Sequence, residues 1–403
     1  MKRPAPKRIL VSLPTINRPE RLKLDGLLDY AHRRRAPTWR VELDFDALAG
    51  RPTRLANKTF DGIVAYVESA ARRQELLSAG VPLVLIEDVL TPPCLPDVSH
   101  AVTLLCDHEA EGRAAADYFL ARHFRHFAWL GPVRATEWAD ARRDGFVARL
   151  RECGLDCTGL GADPRGLAAE LQALPRPCAL FCVHDFRARE ALDAAADAGL
   201  AVPDALAILG MDDDAAICTT ASPALSSLST GDFRLGVAAG RILNELLQRP
   251  GVGGRVIRFA CRHVTSRRST DADALADAYV ASTLRHARGH LDGQLDAATL
   301  ARRVGYSKHG LQIRAERALG HTLGEEIRRM RIAVARELVT DTDMPIAEIA
   351  ATCGFTSVSH LAMRFKETCG QTPLAFRRAL LRQPESPQGE DPRSQPDPSH
   401  SRG

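Results

Sequence analysis

Short apolar runs alternate with longer stretches of helical periodicity through the first two thirds of the chain. Each run spans four to six residues, and the stretches between the runs repeat an apolar residue every three or four positions. Buried strands that alternate with amphipathic helices indicate parallel sheets covered by helices on both faces. The pattern predicts one set of strands at residues 9–13, 62–67, 83–87 and 102–106 and a second set at residues 127–130, 179–183 and 207–211.

Amphipathic helices are predicted between these strands, and the two sets of strands predict a core of two lobes. The helical stretches are residues 18–35, 109–123, 142–153, 187–198 and 233–248. Open α/β sheets bind ligands beyond the carboxyl ends of their strands, and a cleft between two lobes offers two such edges at once. Residues that directly follow the strands are therefore the candidates for ligand binding.

Polar and aromatic side chains follow several of these strands. Carboxylates accept hydroxyl protons, a guanidinium donates to ring and hydroxyl oxygens, and aromatic rings stack on C–H faces, so together they suit a neutral polyol such as a sugar. An alternative is that the two aspartates cap the following helices and the arginine pairs with one of them. The candidate effector-binding residues are Asn17, Trp138, Arg142, Asp185 and Asp212.

Residues 345–378 predict a short helix, a turn at Gly354, a second helix capped by Ser357 and a third helix that starts near a proline. The stretch ARRVGYS at residues 301–307 repeats the plan of ATCGFTS at residues 351–357. Two helices joined by a glycine turn form the unit that places its second helix in a DNA major groove. A single unit of this kind could be an ordinary helical hairpin, but the repeat favours DNA binding.

The second unit presents its groove-facing side at the start of its second helix, where Ser359 and His360 can bond to base edges and Val358 or Met363 can meet a thymine methyl. Two core positions, Leu361 and Phe365, face inward. The expected phosphate contacts, which position the protein without reading sequence, are Arg364 and Lys366.

The first unit presents an equivalent side, on which Gln312 can pair bidentately with adenine. Its helix contains Gly310, which lowers helix propensity by about 1 kcal/mol relative to alanine. We therefore expect the second unit to be the more ordered. The remaining candidates in the first unit are Lys308, His309 and Ile313, together with Arg314 near the DNA backbone.

Composition and charge agree with an intracellular DNA-binding protein. The 403 residues exceed one core and predict two or three domains, and no apolar run approaches the length of a membrane span. None of the ten cysteines has Cys-x-x-Cys spacing, so we expect reduced thiols in a cytoplasmic protein without metal or cofactor. Residues 302–383 carry 14 Lys and Arg against 8 Asp and Glu, whereas residues 271–299 carry 2 against 5.

Residues 295–378 resemble the DNA-binding domain of AraC-type transcription activators. The second unit carries that family's signature as PIAEIAATCGFTSVSHLAMRFKETCGQTPLAFR. The resemblance implies two helix-turn-helix units held at a fixed separation by the helix at residues 324–340. One departure is Ala315, which stands where the family usually packs a phenylalanine.

The core is similar to the sugar-sensing core of LacI-type repressors and periplasmic sugar-binding proteins. The similarity is carried by DHEAEGRAAADYFL, RRDGF, VHD, ILGMDD and PALSSLS. It implies that Arg142 is the effector arginine and that Asp185 and Asp212 are strand-end carboxylates. The LacI family opens with its own DNA-binding headpiece, and no such headpiece precedes Lys7 here.

A core of this kind joined to an AraC-type domain resembles the bacterial xylose-operon regulators. The resemblance implies a sugar-responsive regulator, with xylose as a candidate effector, double-stranded DNA as its partner, RNA polymerase as a further partner if it activates, and a homodimer. The expected divisions are a basic arm (1–7), a periplasmic-binding-protein-like α/β core (8–268), an all-α DNA-binding domain (269–383) and a disordered tail (384–403), with residues 262–273 crossing between the domains.

Two other functions stay open at this stage. The core could be a dimerisation scaffold or bind a non-sugar effector, in which case the cleft would be closed or filled by side chains. The protein could also be a sugar-acting enzyme, although the chain contains neither a Gly-x-x-x-x-Gly-Lys-Ser/Thr loop nor a Gly-x-Ser-x-Gly elbow.

Overall fold

A computed structural model of the chain contains two α/β lobes followed by a helical domain. Residues 1–4 of the expected basic arm and the expected tail at residues 384–403 lie outside the described part of the chain. The structure describes residues 5–33, 39–51, 59–89, 98–161, 163–249, 251–293, 295–342 and 344–381.

Each lobe is built on a six-stranded sheet. The strand order is β11-β5-β4-β3-β1-β2 in the first lobe and β12-β10-β9-β8-β6-β7 in the second, and all pairs are parallel except β10 with β12. Each of the seven predicted strands overlaps an observed one. The strands are β1 (Lys7–Ser12), β2 (Trp39–Leu43), β3 (Gly62–Tyr66), β4 (Leu83–Glu87), β5 (Ala101–Cys106), β6 (His126–Leu130), β7 (Cys157–Leu160), β8 (Cys178–Cys182), β9 (Leu206–Met211), β10 (Ser226–Leu228), β11 (Arg255–Phe259) and β12 (Val264–Thr265).

Helices cover the sheets and form the whole of the C-terminal domain. No helix in the described ranges has the length and apolar character needed to span a bilayer. The helices are α1 (Arg18–Arg33), α2 (Phe45–Leu48), α3 (Ala70–Ser78), α4 (His108–Leu120), α5 (Glu137–Arg151), α6 (Leu167–Ala173), α7 (Asp185–Asp197), α8 (Ala215–Cys218), α9 (Asp232–Gln248), α10 (Ala278–Arg288), α11 (Ala297–Arg303), α12 (Lys308–Leu319), α13 (Leu323–Asp341), α14 (Ile346–Thr352), α15 (Val358–Cys369) and α16 (Pro373–Leu381).

The chain passes between the lobes at three crossovers. They lie between β5 and α4, between β10 and α9, and between β11 and β12. As a result α9 packs on α1 in the first lobe, while α4 packs on α5 in the second. The carboxyl ends of both sheets border the space between the lobes, where the guanidinium of Arg18 donates 3.0 Å to the carbonyl oxygen of Asp212.

Two helix pairs, one in each lobe, approach so closely that only glycine fits at the contact. Gly26 of α1 and Gly236 of α9 form one contact, and Gly112 of α4 and Gly145 of α5 form the other. A Cβ atom on any of these glycines would lie 1.9–2.0 Å from a backbone carbonyl oxygen of the facing helix. Because backbone atoms cannot rotate away as a side chain can, these contacts set the spacing of both pairs.

Residues 262–273 complete the second lobe, contrary to the expectation that this polar segment crosses between domains. The strand β12 pairs with β10, and the Ser269 hydroxyl donates 2.6 Å to the carbonyl oxygen of Ile208. Both Ser269 and Thr270 are fully buried. The hydroxyl groups that made the segment look like a linker are satisfied inside the lobe, so the expected boundary at residues 268 and 269 falls within it.

The helical domain has two cores that share α13. The N-terminal half of α13 packs with α10, α11 and α12, and the C-terminal half of α13 packs with α14, α15 and α16. Ser307 and Ser357 cap α12 and α15 as predicted, each accepting a backbone N–H from the first turn. Both helices are 12 residues long, so Gly310 does not interrupt α12.

We predict that Gly112→Ala lowers the melting temperature by several degrees. Alanine normally stabilises a helix interior relative to glycine, but here its Cβ would lie 1.9 Å from the Arg142 carbonyl oxygen and would force α4 and α5 apart. Overpacking of this kind costs about 1–3 kcal/mol. Gly159→Ala, where a Cβ meets no atom within 4 Å, is the matched control. Equal melting temperatures for both variants would contradict the close contact.

Candidate effector site and nucleic-acid interface

A buried ion pair fixes Arg142 on the second lobe's side of the cleft. Its Nη2 atom lies 3.0 Å from the Glu111 carboxylate, and its Nη1 atom donates 2.6 Å to the carbonyl oxygen of Val183. Burial alone would raise the pKa of Glu111, but the charges of Arg142 and His108 lower it below its ordinary value. The arginine is therefore held in one orientation by the helix pair α4 and α5.

The first lobe contributes a second ion pair and a carboxylate. Lys23 of α1 lies 2.8 Å from Asp232 of α9, and Asp88 directly follows β4. The Tyr66 hydroxyl donates 2.6 Å to Asp88. Burial would raise the pKa of Asp88, but Lys23 and the Tyr66 hydroxyl lower it. Asp88 is therefore an anionic acceptor.

His108, the first residue of α4, lies between the Glu111–Arg142 ion pair of the second lobe and Asp88 of the first lobe. Its Nδ1 atom is 2.9 Å from Glu111, while its Nε2 atom is 3.9 Å from Asp88, which is too far for a direct hydrogen bond. His108 Nε2 and Arg142 Nε are two of the eleven side-chain atoms in the described part of the chain that are buried without a hydrogen-bond partner. The Trp138 ring lies 5.9 Å from the imidazole and 5.1 Å from the guanidinium. Unsatisfied polar atoms beside an aromatic face are what a small polyhydroxy ligand would complete.

Asp212 lies opposite this group at the end of β9, in a left-handed backbone conformation with φ of 104°. Its backbone N–H donates 2.9 Å to the carbonyl oxygen of Leu228. Burial raises the pKa of Asp212 well above its ordinary value, although Arg142 opposes the shift. The carboxyl therefore retains a proton more readily than an exposed aspartate does.

Asp185, proposed from the sequence as an effector ligand, is instead committed to the interior of the second lobe. It is fully buried and accepts hydrogen bonds from the Ser227 hydroxyl at 2.6 Å and from the backbone N–H of Asp214 at 2.7 Å. Helix α7 is capped by His184, whose ring nitrogen accepts the Arg187 N–H. Asp185 thus holds the loop at Asp212–Asp214 in place through the backbone N–H of Asp214.

Asn17 also has a structural role, as the N-cap of α1. Its side-chain oxygen accepts the Glu20 N–H at 2.9 Å, and the Glu20 carboxylate accepts the Ile16 N–H at 2.7 Å. The next residue, Arg18, is the one that reaches the other lobe. Trp138, Arg142 and Asp212 are therefore the sequence candidates that the structure brings together at the cleft.

The sequence candidates did not include several residues of this cluster. Asp88 and His108 follow the predicted strands at residues 83–87 and 102–106, so applying the strand-end rule to these two strands would have found them. The other missed residues lie within helices or a strand, and no local signal marks them. They are Lys23, Tyr66, Glu111 and Asp232.

Asp88, Cys106 and His108 have the atom types and spacing of metal ligands, with ligand atoms within 4.8 Å of one another. Burial raises the pKa of the Cys106 thiol, and the nearby Lys23 charge only partly opposes this. A metal would need the thiolate and would share the cluster with the buried cation of Lys23. Both features disfavour a metal ion at this position.

Helix α15 presents a mixed polar and apolar outer face. Val358, Ser359, Met363 and Lys366 are exposed, whereas Leu361 and Phe365 are fully buried, as predicted for core positions. His360 and Arg364, two further DNA-binding candidates, make contacts within their own domain. The His360 ring packs edge-on against Phe355 at 5.5 Å, and Arg364 pairs with Glu367 at 2.9 Å.

Helix α12 is exposed at Lys308, His309 and Ile313. Gln312 donates 3.1 Å to Glu316 one turn later on the same helix. Arg314, expected near the DNA backbone, instead lies 2.9 Å from Asp277 and over the rings of two tyrosines of its own domain. Its guanidinium therefore holds α12 against α10.

Two family models match parts of the chain, one within the two-lobed core and one within the helical domain. Residues 116–270 match the periplasmic binding protein-like domain, and residues 300–379 match a helix-turn-helix domain. A two-lobed ligand-binding core followed by two helix-turn-helix units defines a DNA-binding transcription regulator.

The chain is similar to the xylose operon regulatory proteins. It is 26% identical to that of Escherichia coli strain K12 over 371 residues, which cover 89% of this chain and 93% of that protein. It is also 26% identical to that of Haemophilus influenzae over 290 residues, covering 69% and 75% of the two chains. A solved structure of the xylose-binding transcription activator xylR has the same fold, with a TM-score of 0.58 and 23% identity, covering 94% of this chain and 99% of that one.

We predict that Asp185→Asn flattens the pH dependence of stability between about pH 4 and 6. Burial raises the pKa of Asp185 from 3.8 to about 6, although the Ser227 hydroxyl and the Asp214 N–H oppose the shift. The folded protein therefore holds a proton that the unfolded chain has lost. This stabilisation is complete below pH 3.8 and disappears as the pH rises through about 6.

The measurement is the melting temperature of both proteins across that pH range. Asparagine keeps the shape and can still accept the Asp214 N–H. Asp193→Asn, at an exposed position on the same helix, is the control and should keep the wild-type profile. An unchanged profile in Asp185→Asn would mean that this carboxyl does not titrate in the range.

Proposed function

We propose that the chain is a sugar-responsive transcription regulator whose effector is a neutral pentose, with xylose as the first candidate. The effector would bind between the lobes, and the operator would be contacted by α12 and α15. The observation that carries the proposal is the pair of buried, unpartnered atoms at the cleft, His108 Nε2 and Arg142 Nε, beside the Trp138 ring. Xylose is the first candidate effector because the similar proteins are named xylose operon regulatory proteins.

The charges around the cleft favour a neutral ligand. Lys23 is neutralised by Asp232 and Arg142 by Glu111, so neither of these buried cations is left to balance an added anion. The guanidinium of Arg18 is engaged by the carbonyl oxygens of Asp212 and Asp213. The carboxyl groups that remain are Asp88 and Asp212. An anionic carboxylate at either position would repel a sugar phosphate or a sugar acid. In this proposal Asp88 and Asp212 bind hydroxyl groups, Arg142 donates to a ring or hydroxyl oxygen, and Trp138 stacks on the C–H face.

Two contacts connect two of the three crossovers, β10–α9 and β11–β12, to the DNA-binding domain. Arg234, in the first turn of α9, donates 2.5 Å to the carbonyl oxygen of Thr340 in α13. His263, between β11 and β12, lies 3.8 Å from Glu337 of the same helix. Because α13 is shared by both helix-turn-helix cores, a change in lobe closure would move the frame that holds both recognition helices. The sugar must bind the two arrangements unequally for any response to follow.

The proposed protein is cytoplasmic, acts as a homodimer that pairs operator half-sites, and contacts RNA polymerase where it activates. The xylose operon regulatory proteins to which the chain is similar are regulators by name, and we propose no catalytic role for the cleft. The scaffold alternative is less favourable because it would leave buried polar atoms unsatisfied, which costs free energy.

We predict that xylose raises the melting temperature of the wild type by several degrees and that Asp88→Asn loses this shift. A ligand at about a hundred times its Kd adds about 2.7 kcal/mol. Asparagine removes the anionic acceptor without changing the side-chain shape, and Asp25→Asn on the exposed face of α1 should respond like the wild type. The measurement is a thermal-shift titration with pentoses, hexoses and their acids.

Arg142→Ala should also lose the shift while it still binds DNA. A wild type that responds to no sugar would favour the scaffold or a non-sugar effector. A full thermal shift with xylose in Asp88→Asn would show that Asp88 does not bind the effector.

We predict that His360→Ala weakens binding to an operator selected from a random duplex library by at least about tenfold, which equals the loss of roughly 1.4 kcal/mol. The variant should leave the xylose shift intact. His360 lies in the first turn of α15, where a recognition helix contacts base edges. His290→Ala, at an exposed position on the C-terminal side of α10, is the control. The measurement is fluorescence anisotropy with labelled duplex DNA. Loss of both activities in a folded His360→Ala protein would contradict separate sites.

A further inference from the structure

We propose that both helix-turn-helix units read a thymine methyl group, through Ile313 in the first unit and Met363 in the second. This inference rests on the proposed function and specifies how the operator is recognised. The two residues occupy the same place in their units, since each is the sixth residue of a 12-residue helix capped by serine.

Each of these side chains points away from the core of its unit. In α12 the buried residues are Leu311 and Ala315, and Ile313 lies midway between them. A helix turns about 100° per residue, so a residue two positions from each buried neighbour lies on the opposite side. Ile313 is accordingly 43% exposed.

The second unit repeats the arrangement. Met363 lies midway between Leu361 and Phe365, both of which are fully buried, and is 50% exposed. Nothing in the packing of either unit requires a large apolar residue here, because both side chains face outward.

The major groove supplies a specific partner for such a side chain. Base edges in that groove present hydrogen-bonding groups, and the only apolar group they present is the C5-methyl of thymine. Burying an isoleucine or methionine side chain against this methyl removes apolar area from water that would otherwise stay exposed. A docking partner protein is less favoured, because it would have to meet the same position on two separate helices.

A polar residue precedes each apolar one by a single turn, namely His309 in α12 and Ser359 in α15. Side chains four residues apart on a helix have Cβ atoms about 5–6 Å apart, and stacked bases are about 3.4 Å apart along a strand. The thymine should therefore lie one or two base pairs from the base bound by the polar residue. Each operator half-site would contain this combination twice, once for each helix-turn-helix unit.

The test uses the full-length protein and DNA that it selects from a random duplex library. Each thymine of the selected site is replaced in turn by deoxyuridine, which removes only the methyl group, and the Kd is measured by fluorescence anisotropy. We expect two thymines in each half-site, one for each recognition helix, to show about three- to tenfold weaker binding after replacement.

Variants then assign each thymine to a helix. In each half-site, Ile313→Ala should abolish the deoxyuridine effect at one of these thymines and Met363→Ala at the other, because the apolar partner is gone. Leu374→Ala, which removes an exposed apolar side chain from α16, should leave both effects in place.

The outcomes separate this inference from the proposed function. Sequence-specific binding with no deoxyuridine effect, or with effects that persist in both alanine variants, would overturn the inference and leave the regulator function standing. Failure to select any specific sequence would overturn both. The deoxyuridine series on the wild type needs no variant, so the result does not depend on how the alanine proteins fold.

Discussion

The spacing of two helix pairs is the constraint on which the ligand cleft depends. Glycine contacts bring α1 against α9 and α4 against α5, and each pair carries one buried ion pair at the cleft, Lys23 with Asp232 and Glu111 with Arg142. Removing one partner of a buried pair costs about 3–5 kcal/mol, because the remaining charge has no compensation. The two ion pairs therefore persist only while the helices of each pair stay in close contact. These ion pairs orient the charged groups that line the cleft.

The sequence was most informative where local rules decide the structure. Apolar runs identified the central strands, and serine caps identified both recognition helices. The edge strands β2 and β7 were not predicted because their residues are half-exposed, which gives no continuous apolar run. The strand β10 has three residues, which is too short to produce a pattern.

The candidate site was harder to predict because it depends on tertiary contacts. Asp185 follows a strand, as a ligand-binding carboxylate would, yet the distant Ser227 and the loop at Asp214 bury it. Arg314 lies on a recognition helix, yet Asp277 from another helix holds it. In both cases the residue type and its spacing fitted the prediction, and a partner from elsewhere in the chain determined its role.

The two proposed recognition surfaces depart from the usual rules of folding in opposite ways. The cleft buries polar atoms without partners, at His108 and Arg142, whereas the recognition helices expose apolar side chains at Ile313 and Met363. Neither departure helps the isolated protein, since buried polar atoms need partners and exposed apolar groups gain from burial. Binding of a polyol would relieve the first and binding of DNA the second. Because α13 contacts two of the three crossovers and is shared by both units, free energy gained at one surface would change the arrangement presented at the other.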